Sequence, residues 1–97
     1  MVVSSKIQAA ADKAIKEEAA FFNVPFEEIK KTTNWVAKTM EITYGSLTFE
    51  DELIGLTINW WNGKHGNKHN SWNGTIYFTK GGKTVHEDEY GNLYVKR

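Results

Sequence analysis

The sequence predicts an α+β fold in which two N-terminal helices pack on one face of a four- to five-stranded antiparallel sheet. Apolar residues recur every three or four positions as far as residue 40, which is the period of a helix. From residue 41 onward they recur at every second position, which is the period of a strand. Helices and strands that are separated along the chain in this way are typical of the α+β class.

The predicted first helix follows a capping box formed by Ser5 and Gln8, whose side chains bond the free N–H groups of the first turn. Six alanines between residues 9 and 20 favour the helical conformation. The residues of the predicted apolar face are Ile7, Ala11, Ile15 and Phe22.

A second helix is predicted to begin at the Asn23-Val24-Pro25 sequence, which also ends the first. Asn is a good N-cap, and Pro is tolerated in the first turn of a helix. The residues that then follow at spacings of three and four are Phe26, Ile29, Thr33, Val36 and Met40. This spacing predicts one helix over residues 25–39.

The rest of the chain is predicted to form the sheet. Apolar and polar residues alternate most clearly at 54–60, where isoleucine, leucine and tryptophan occupy every second position. We place turns at residues 50–52, at Gly81-Gly82 and at Gly91-Asn92. The predicted strands cover residues 42–49 (with a bulge at Gly45), 54–60, 72–80, 84–90 and 93–95.

Length and composition limit the class of protein. A chain of 97 residues predicts a single domain, residues 1–97, made of a helical part, 1–40, and a sheet part, 41–97. The absence of cysteine excludes disulfides, thiolate metal sites and a cysteine nucleophile. No apolar run approaches the ~20 residues of a membrane helix. The first residues lack the apolar region of a secretory signal, so we expect a cytoplasmic protein that does not bind membranes.

The charges are balanced overall but unevenly placed. The formal net charge of +0 removes the usual global signature of nucleic-acid binding without excluding such binding. Residues 41–58 carry four acids and no Lys or Arg, whereas residues 59–85 carry four Lys and no acid. One interpretation is that neighbouring strands of opposite charge form cross-strand ion pairs. The alternative is that the acidic or the basic run forms a functional patch.

Residues 60–74 are the most unusual stretch, because they combine three Trp, two His, two Lys and four Asn. The predicted connection between two strands is longer here than a hairpin needs, and long loops in small domains often carry function. One interpretation is nucleic-acid binding, in which lysines hold phosphates and Trp rings stack on unpaired bases. Tyr77, Lys80 and Lys83 would extend that surface, although the stretch has no arginine to bind a phosphate with two hydrogen bonds.

A second interpretation is a metal site. His65 and His69 are four residues apart, and His86 with Glu87 or Asp88 could join them from a neighbouring strand. On a helix this spacing would suit zinc, but glycines flank it and argue against a helix. Histidines in a polar loop are more often solvated, so we predict no metal.

The same stretch also suits a protein interface. Trp and Tyr are over-represented among the residues that dominate interface energetics, and Asn and Gly supply adaptable hydrogen bonds. The alternative for the tryptophans is burial at the end of the sheet, and we expect this for at least one of them. Aromatic faces with Asn and His would also suit a carbohydrate, and the sequence does not separate this from a protein interface.

The sequence does not contain a recognisable catalytic constellation. Each acidic run lies beside a turn or a helix start, where acids are normally solvated or act as caps. The serines lack a nucleophile elbow, and residues 81–84 lack the glycine spacing of a phosphate-binding loop. We therefore predict no catalytic residues and no cofactor, while an enzyme that uses one of the three histidines with an acid stays open.

The predicted function is that of a small non-enzymatic protein that binds another macromolecule. Its size suits an inhibitor or immunity-type factor, for example a phage-encoded accessory protein that acts on a host protein. The alternative is a module that binds single-stranded DNA or RNA with the same loop. The sequence is also compatible with a homo-oligomer, because a small domain gains core by pairing and the last strand offers an open edge. The predicted contact residues are Trp61, Lys64, His65, Lys68, His69, Trp72 and Tyr77.

Overall fold

The computed structural model describes residues 2–22, 24–61 and 71–96, without the side chains of Phe21, Phe22, Trp61, Ser71 and Trp72. No helix in these three ranges is long and apolar enough to cross a membrane. The described elements are α1 (Ser5–Phe22), α2 (Phe26–Lys30), β1 (Thr33–Tyr44), β2 (Leu47–Trp61), β3 (Ser71–Phe78), β4 (His86–Glu87) and β5 (Leu93–Val95).

The first helix forms where the sequence predicts it, but its cap lies one residue earlier. The Ser4 hydroxyl oxygen accepts a hydrogen bond from the Ile7 N–H at 3.3 Å, which makes Ser4 the N-cap. Gln8 donates its side-chain amide to Asp12 at 3.0 Å and does not complete a capping box with Ser5. The residues that α1 buries are four apart: Ile7, Ala11, Ile15 and Ala19.

The second helix is much shorter than predicted. It ends at Lys30, and the chain is extended from Thr33 onward, so the prediction of a helix over 25–39 and of a helical part reaching residue 40 is wrong. The hydroxyl groups of Thr32 and Thr33 donate to the carbonyls of Ile29 and Lys30, both at 2.9 Å. These side chains engage the last helical carbonyls and so favour an end to the helix.

The α+β class is confirmed, but the sheet is mixed and the prediction of an antiparallel sheet is wrong. The strand order is β3-β2-β1-β5-β4. The pairs β1–β2, β2–β3 and β4–β5 are antiparallel, whereas β5 lies parallel to β1, with Thr43 opposite Tyr94. The cause is that the chain crosses from β3 to the far side of β1 before β5 begins.

The long β1–β2 hairpin also differs from its prediction. Gly45 has a φ of 63° and lies in the turn between the two strands, where the sequence predicted a bulge inside one strand. A positive φ is easy for glycine and costly for most other residues. Residues 50–52, predicted as the turn, lie within β2 and pair with residues 39–41 of β1.

One buried cluster joins helices and strands and is called the helix-side core below. Its strand residues alternate along β2 and β3, which places them on one side of the sheet. Partly buried Trp35, Ile54 and Ile76 pack against it. Its buried members are Ile7, Ala11, Ile15 and Ala19 of α1, Ile29 of α2, Leu56, Ile58 and Trp60 of β2, and Phe78 of β3.

A second buried cluster, the ring core, lies toward the other end of the hairpin. The Val85 N–H donates to the Tyr77 carbonyl at 2.9 Å, and Thr84 bridges Phe78. The segment before β4 therefore returns to β3, and backbone pairing closes a ring through β4, β5, β1 and β2. The buried members of the ring core are Ile42, Leu53, Val85 and Val95.

Candidate functional site

Most of the predicted contact residues lie outside the described part of the chain. Lys64, His65, Lys68 and His69 are outside it, and so are the side chains of Trp61 and Trp72. Their role as contact residues stays a prediction. The structure fixes where this segment departs from the sheet, since Trp61 and Ser71 are the outermost registered pair of β2 and β3.

Tyr77 is the predicted contact residue whose side chain the structure describes. It is half-buried and packs against the ring core. Its ring lies on Gly55 of the neighbouring strand, where an added Cβ would be 2.9 Å from Tyr77 Cε1 and 3.0 Å from Thr75 Cγ2. Gly55 thus makes room for the aromatic ring to lie close to the sheet, and sequence analysis missed this role.

Tyr77 belongs to a surface that we call the open sheet face. Residues directly opposite each other on neighbouring strands point to the same side of a sheet. The register aligns Asn34 with Thr57 and Thr75, and Val36 with Gly55 and Tyr77. Apart from half-buried Thr57 and Tyr77, its members are exposed. The open sheet face comprises Asn34, Val36, Thr57, Asn59, Asn73, Thr75 and Tyr77.

The chemistry of the open sheet face is uncharged. Its amides and hydroxyls can each donate and accept hydrogen bonds, and Val36, which is 40% exposed, adds an apolar contact. The Thr57 and Thr75 hydroxyl oxygens lie 3.2 Å apart, which is a hydrogen-bonding distance. Thr57 and Asn59 alternate along β2 with buried residues, so they face away from the helix-side core. This alternation is visible in the sequence.

Acidic residues lie on the other side of the β1–β2 hairpin. Glu41 and Glu50 are directly opposite each other, an arrangement that destabilises a sheet. Glu52 is paired with Lys80, whose Nζ lies 3.2 Å from its carboxylate. This ion pair joins β2 to the turn that follows β3, and at the surface it contributes only ~0–1 kcal/mol.

An aromatic and acidic group lies near the turn of this hairpin. The Tyr44 hydroxyl donates to Asp51 Oδ2 at 2.6 Å. The rings of Tyr44 and Phe49 stack with centroids 5.0 Å apart. Burial, then the hydrogen bond to Asp51, then the negative charge of that carboxylate raise the pKa of Tyr44 to about 12.

This pKa predicts a loss of stability at alkaline pH. The ordinary value is 10.0 and the folded value is about 12, so the unfolded chain releases the Tyr44 proton first. The contribution of Tyr44 is fully present below pH 10 and is lost as the pH rises through the folded pKa. Urea unfolding across this range should show a steeper fall in the free energy of unfolding for the natural protein than for Tyr44→Phe. Parallel curves for the two proteins would contradict the assignment.

The described residues do not form the metal site that the histidines suggested. His86 lies beside Tyr94, with ring centroids 5.5 Å apart. Over residues 2–22, 24–61 and 71–96, no group of three His, Asp or Glu side chains is placed to hold a metal ion. His65 and His69, which the metal interpretation also requires, are outside these ranges.

Comparison with known proteins does not add a relative. No family model matches the chain, and neither the curated proteins nor the solved structures contain a match.

Proposed function

We propose that this chain is a non-enzymatic protein that binds another protein through its open sheet face. The observation that supports this is the row of amide, hydroxyl and aromatic side chains on three adjacent strands, exposed apart from half-buried Thr57 and Tyr77. Antibody binding loops are rich in Tyr, Asn and Ser, because these residues combine contact area with adaptable hydrogen bonds. The open sheet face has similar chemistry, with Thr supplying the hydroxyl groups.

Strand pairing holds the backbone of this surface in place, which also favours binding. Asn34, Thr57 and Thr75 sit in one registered row of paired strands, and the Tyr77 ring is held against Gly55. Side chains that are fixed before binding lose less conformational entropy when the complex forms. A factor that inhibits its target by covering a surface needs such a face and no catalytic group, which agrees with an inhibitor or immunity-type role.

The charge of the open sheet face favours a protein over a nucleic acid. None of its seven residues is charged, and Lys38, one row further along β1, is the nearest cation by register. Nucleic-acid binding depends on Lys and Arg contacts to phosphates. The alternative of single-stranded DNA or RNA binding therefore rests on Lys64 and Lys68, which lie outside the described residues.

The test begins with capture of the partner by the tagged protein, with and without nuclease, and continues with two matched variants. Asn59→Arg adds a cation to the open sheet face, and Thr39→Arg adds the same side chain at an exposed position on the other side of the sheet. We expect Asn59→Arg to weaken binding of the captured protein by more than about tenfold, because an unpaired charge would be buried in the interface. Thr39→Arg should bind normally.

Two results would overturn this proposal. Equal binding by both variants and the natural protein would remove the open sheet face as the contact surface. Capture that is lost with nuclease and falls steeply with salt would establish the nucleic-acid alternative instead.

A further inference from the structure

In the part of the chain that the structure describes, the outer edge of β3 is unpaired over most of its length. β3 ends the strand order, and Thr84 pairs with it only at Phe78. Among the described residues, no strand pairs with this edge between Ser71 and Ile76. Asn73, Gly74 and Thr75 are all exposed there, so the main chain of this stretch is accessible to another strand.

The direction of the main-chain groups follows from one hydrogen bond. Val85 donates to the Tyr77 carbonyl from outside the β2–β3 pair, so the peptide groups of Tyr77 point away from β2. Main-chain groups of alternate residues in an antiparallel strand point to the same side. The N–H and C=O groups of Thr75 and Asn73 therefore also point outward, where an incoming strand would meet them.

This edge lacks the features that usually prevent strands from pairing between molecules, namely charges, proline, bulges and short length. Residues 71–76 contain no charged residue and no proline, and their register with β2 is unbroken. The other exposed edges differ: β1 carries Lys38 and Glu41 on the stretch that β5 leaves unpaired, and β4 is two residues long.

We propose that a second copy of this chain pairs with the open edge of β3 in an antiparallel arrangement, which forms a symmetric dimer with one continuous sheet. A second copy suits this edge because the chain has a net charge of +0 and residues 71–76 are uncharged, so neither overall nor local repulsion opposes the contact. The prediction that the last strand offers an open edge is wrong, because β5 lies between β1 and β4.

A two-fold axis at Asn73 uses the outward main-chain groups of Ser71, Asn73 and Thr75. It sets Asn73 opposite its counterpart and sets Thr75 opposite Ser71 of the second copy. Because the contact is the same on both chains, each hydrogen bond between unlike residues occurs twice. The open sheet face then continues across the junction, so the dimer would present two copies of it side by side.

The first test measures the mass of the particle by sedimentation velocity from micromolar to submillimolar concentration. Thr75→Pro removes one outward N–H and leaves the bonds to β2, whereas Thr75→Val keeps this N–H and removes the same hydroxyl. We expect a concentration-dependent dimer for the natural protein and for Thr75→Val, and a monomer for Thr75→Pro. Far-UV circular dichroism and thermal unfolding establish that each variant is folded.

A second pair of variants tests the same contact without a proline. Asn73→Lys and Asn73→Glu each bring two like charges together across the axis, so each should be monomeric alone. An equimolar mixture of the two should form a heterodimer, and added salt should weaken it. This recovery cannot be explained by unfolding.

The outcomes are distinct from those for the proposed function. A natural protein that is monomeric at every concentration overturns the dimer, as does a dimer that Thr75→Pro and both Asn73 variants leave intact. An edge occupied only by the captured partner protein, with no self-association, also overturns it. Binding of the partner protein by Asn59→Arg and Thr39→Arg tests the open sheet face independently.

Discussion

Replacing Phe78 by Ala will lower the free energy of unfolding by about 3–5 kcal/mol, the usual loss when a buried aromatic ring is truncated. Phe78 is 0% exposed and lies in the helix-side core. Its ring lies 6.4 Å from that of Trp35, measured between centroids, and at 57° to it. The cavity left by alanine would therefore lie next to Trp35 of β1, within the core that the residues of α1 also form.

Urea denaturation, followed by tryptophan fluorescence and far-UV circular dichroism, measures this loss. Phe49→Ala is the matched control, since Phe49 is 48% exposed on the same sheet. It should cost no more than about 1.5 kcal/mol, most of it from the stacking on Tyr44. If the two substitutions cost the same, Phe78 does not occupy the centre of a packed core.

Replacing Leu53 by Ala will lower the free energy of unfolding by about 2–5 kcal/mol. Leu53 is 0% exposed and belongs to the ring core. The same change at Leu47, which is on the same strand and the same side of the sheet but is 62% exposed, should cost about 0.5 kcal/mol or less. Comparison of the two leucine variants therefore separates the effect of burial on stability from the effect of residue type.

The shape of the unfolding curves adds a second result. β2 contributes Leu53 to the ring core and Leu56 to the helix-side core. Because both cores share this strand, Leu53→Ala should shift one cooperative transition for every probe. A separate early transition in the Leu53→Ala variant would show that the ring core unfolds on its own.

The sequence predicts α1 well because its burial follows the helical period. Ile7, Ala11 and Ile15 are four apart and all are buried. The second helix fails because the spacing of Phe26, Ile29, Thr33 and Val36 does not reflect burial: Val36 is 40% exposed. Twelve registered pairs with β2 outweigh a local helical preference, and a single-sequence pattern does not contain that information.

The parallel pairing of β5 has a similar cause. The sequence identifies 93–95 as a strand, but its partner is set by the path of the chain around the ring core. For the candidate site, the alternation along β2 indicates that Thr57 and Asn59 face away from the core. The contact between Tyr77 and Gly55 depends on the β2–β3 register, which the position of a glycine in the sequence does not specify.

The parallel pair of β1 and β5 has a consequence for how the molecule folds. Thr43 and Tyr94 are opposite each other, although more than half of the chain separates them. Pairings between such distant residues raise the contact order and slow folding, because the entropy of closing the intervening chain is lost before the contact stabilises anything. The β1–β2 hairpin is local and can form early, whereas the ring core is complete only when β5 docks. Docking of β5 is therefore the expected late step of folding, and until it occurs Ile42 and Leu53 lack their partner Val95.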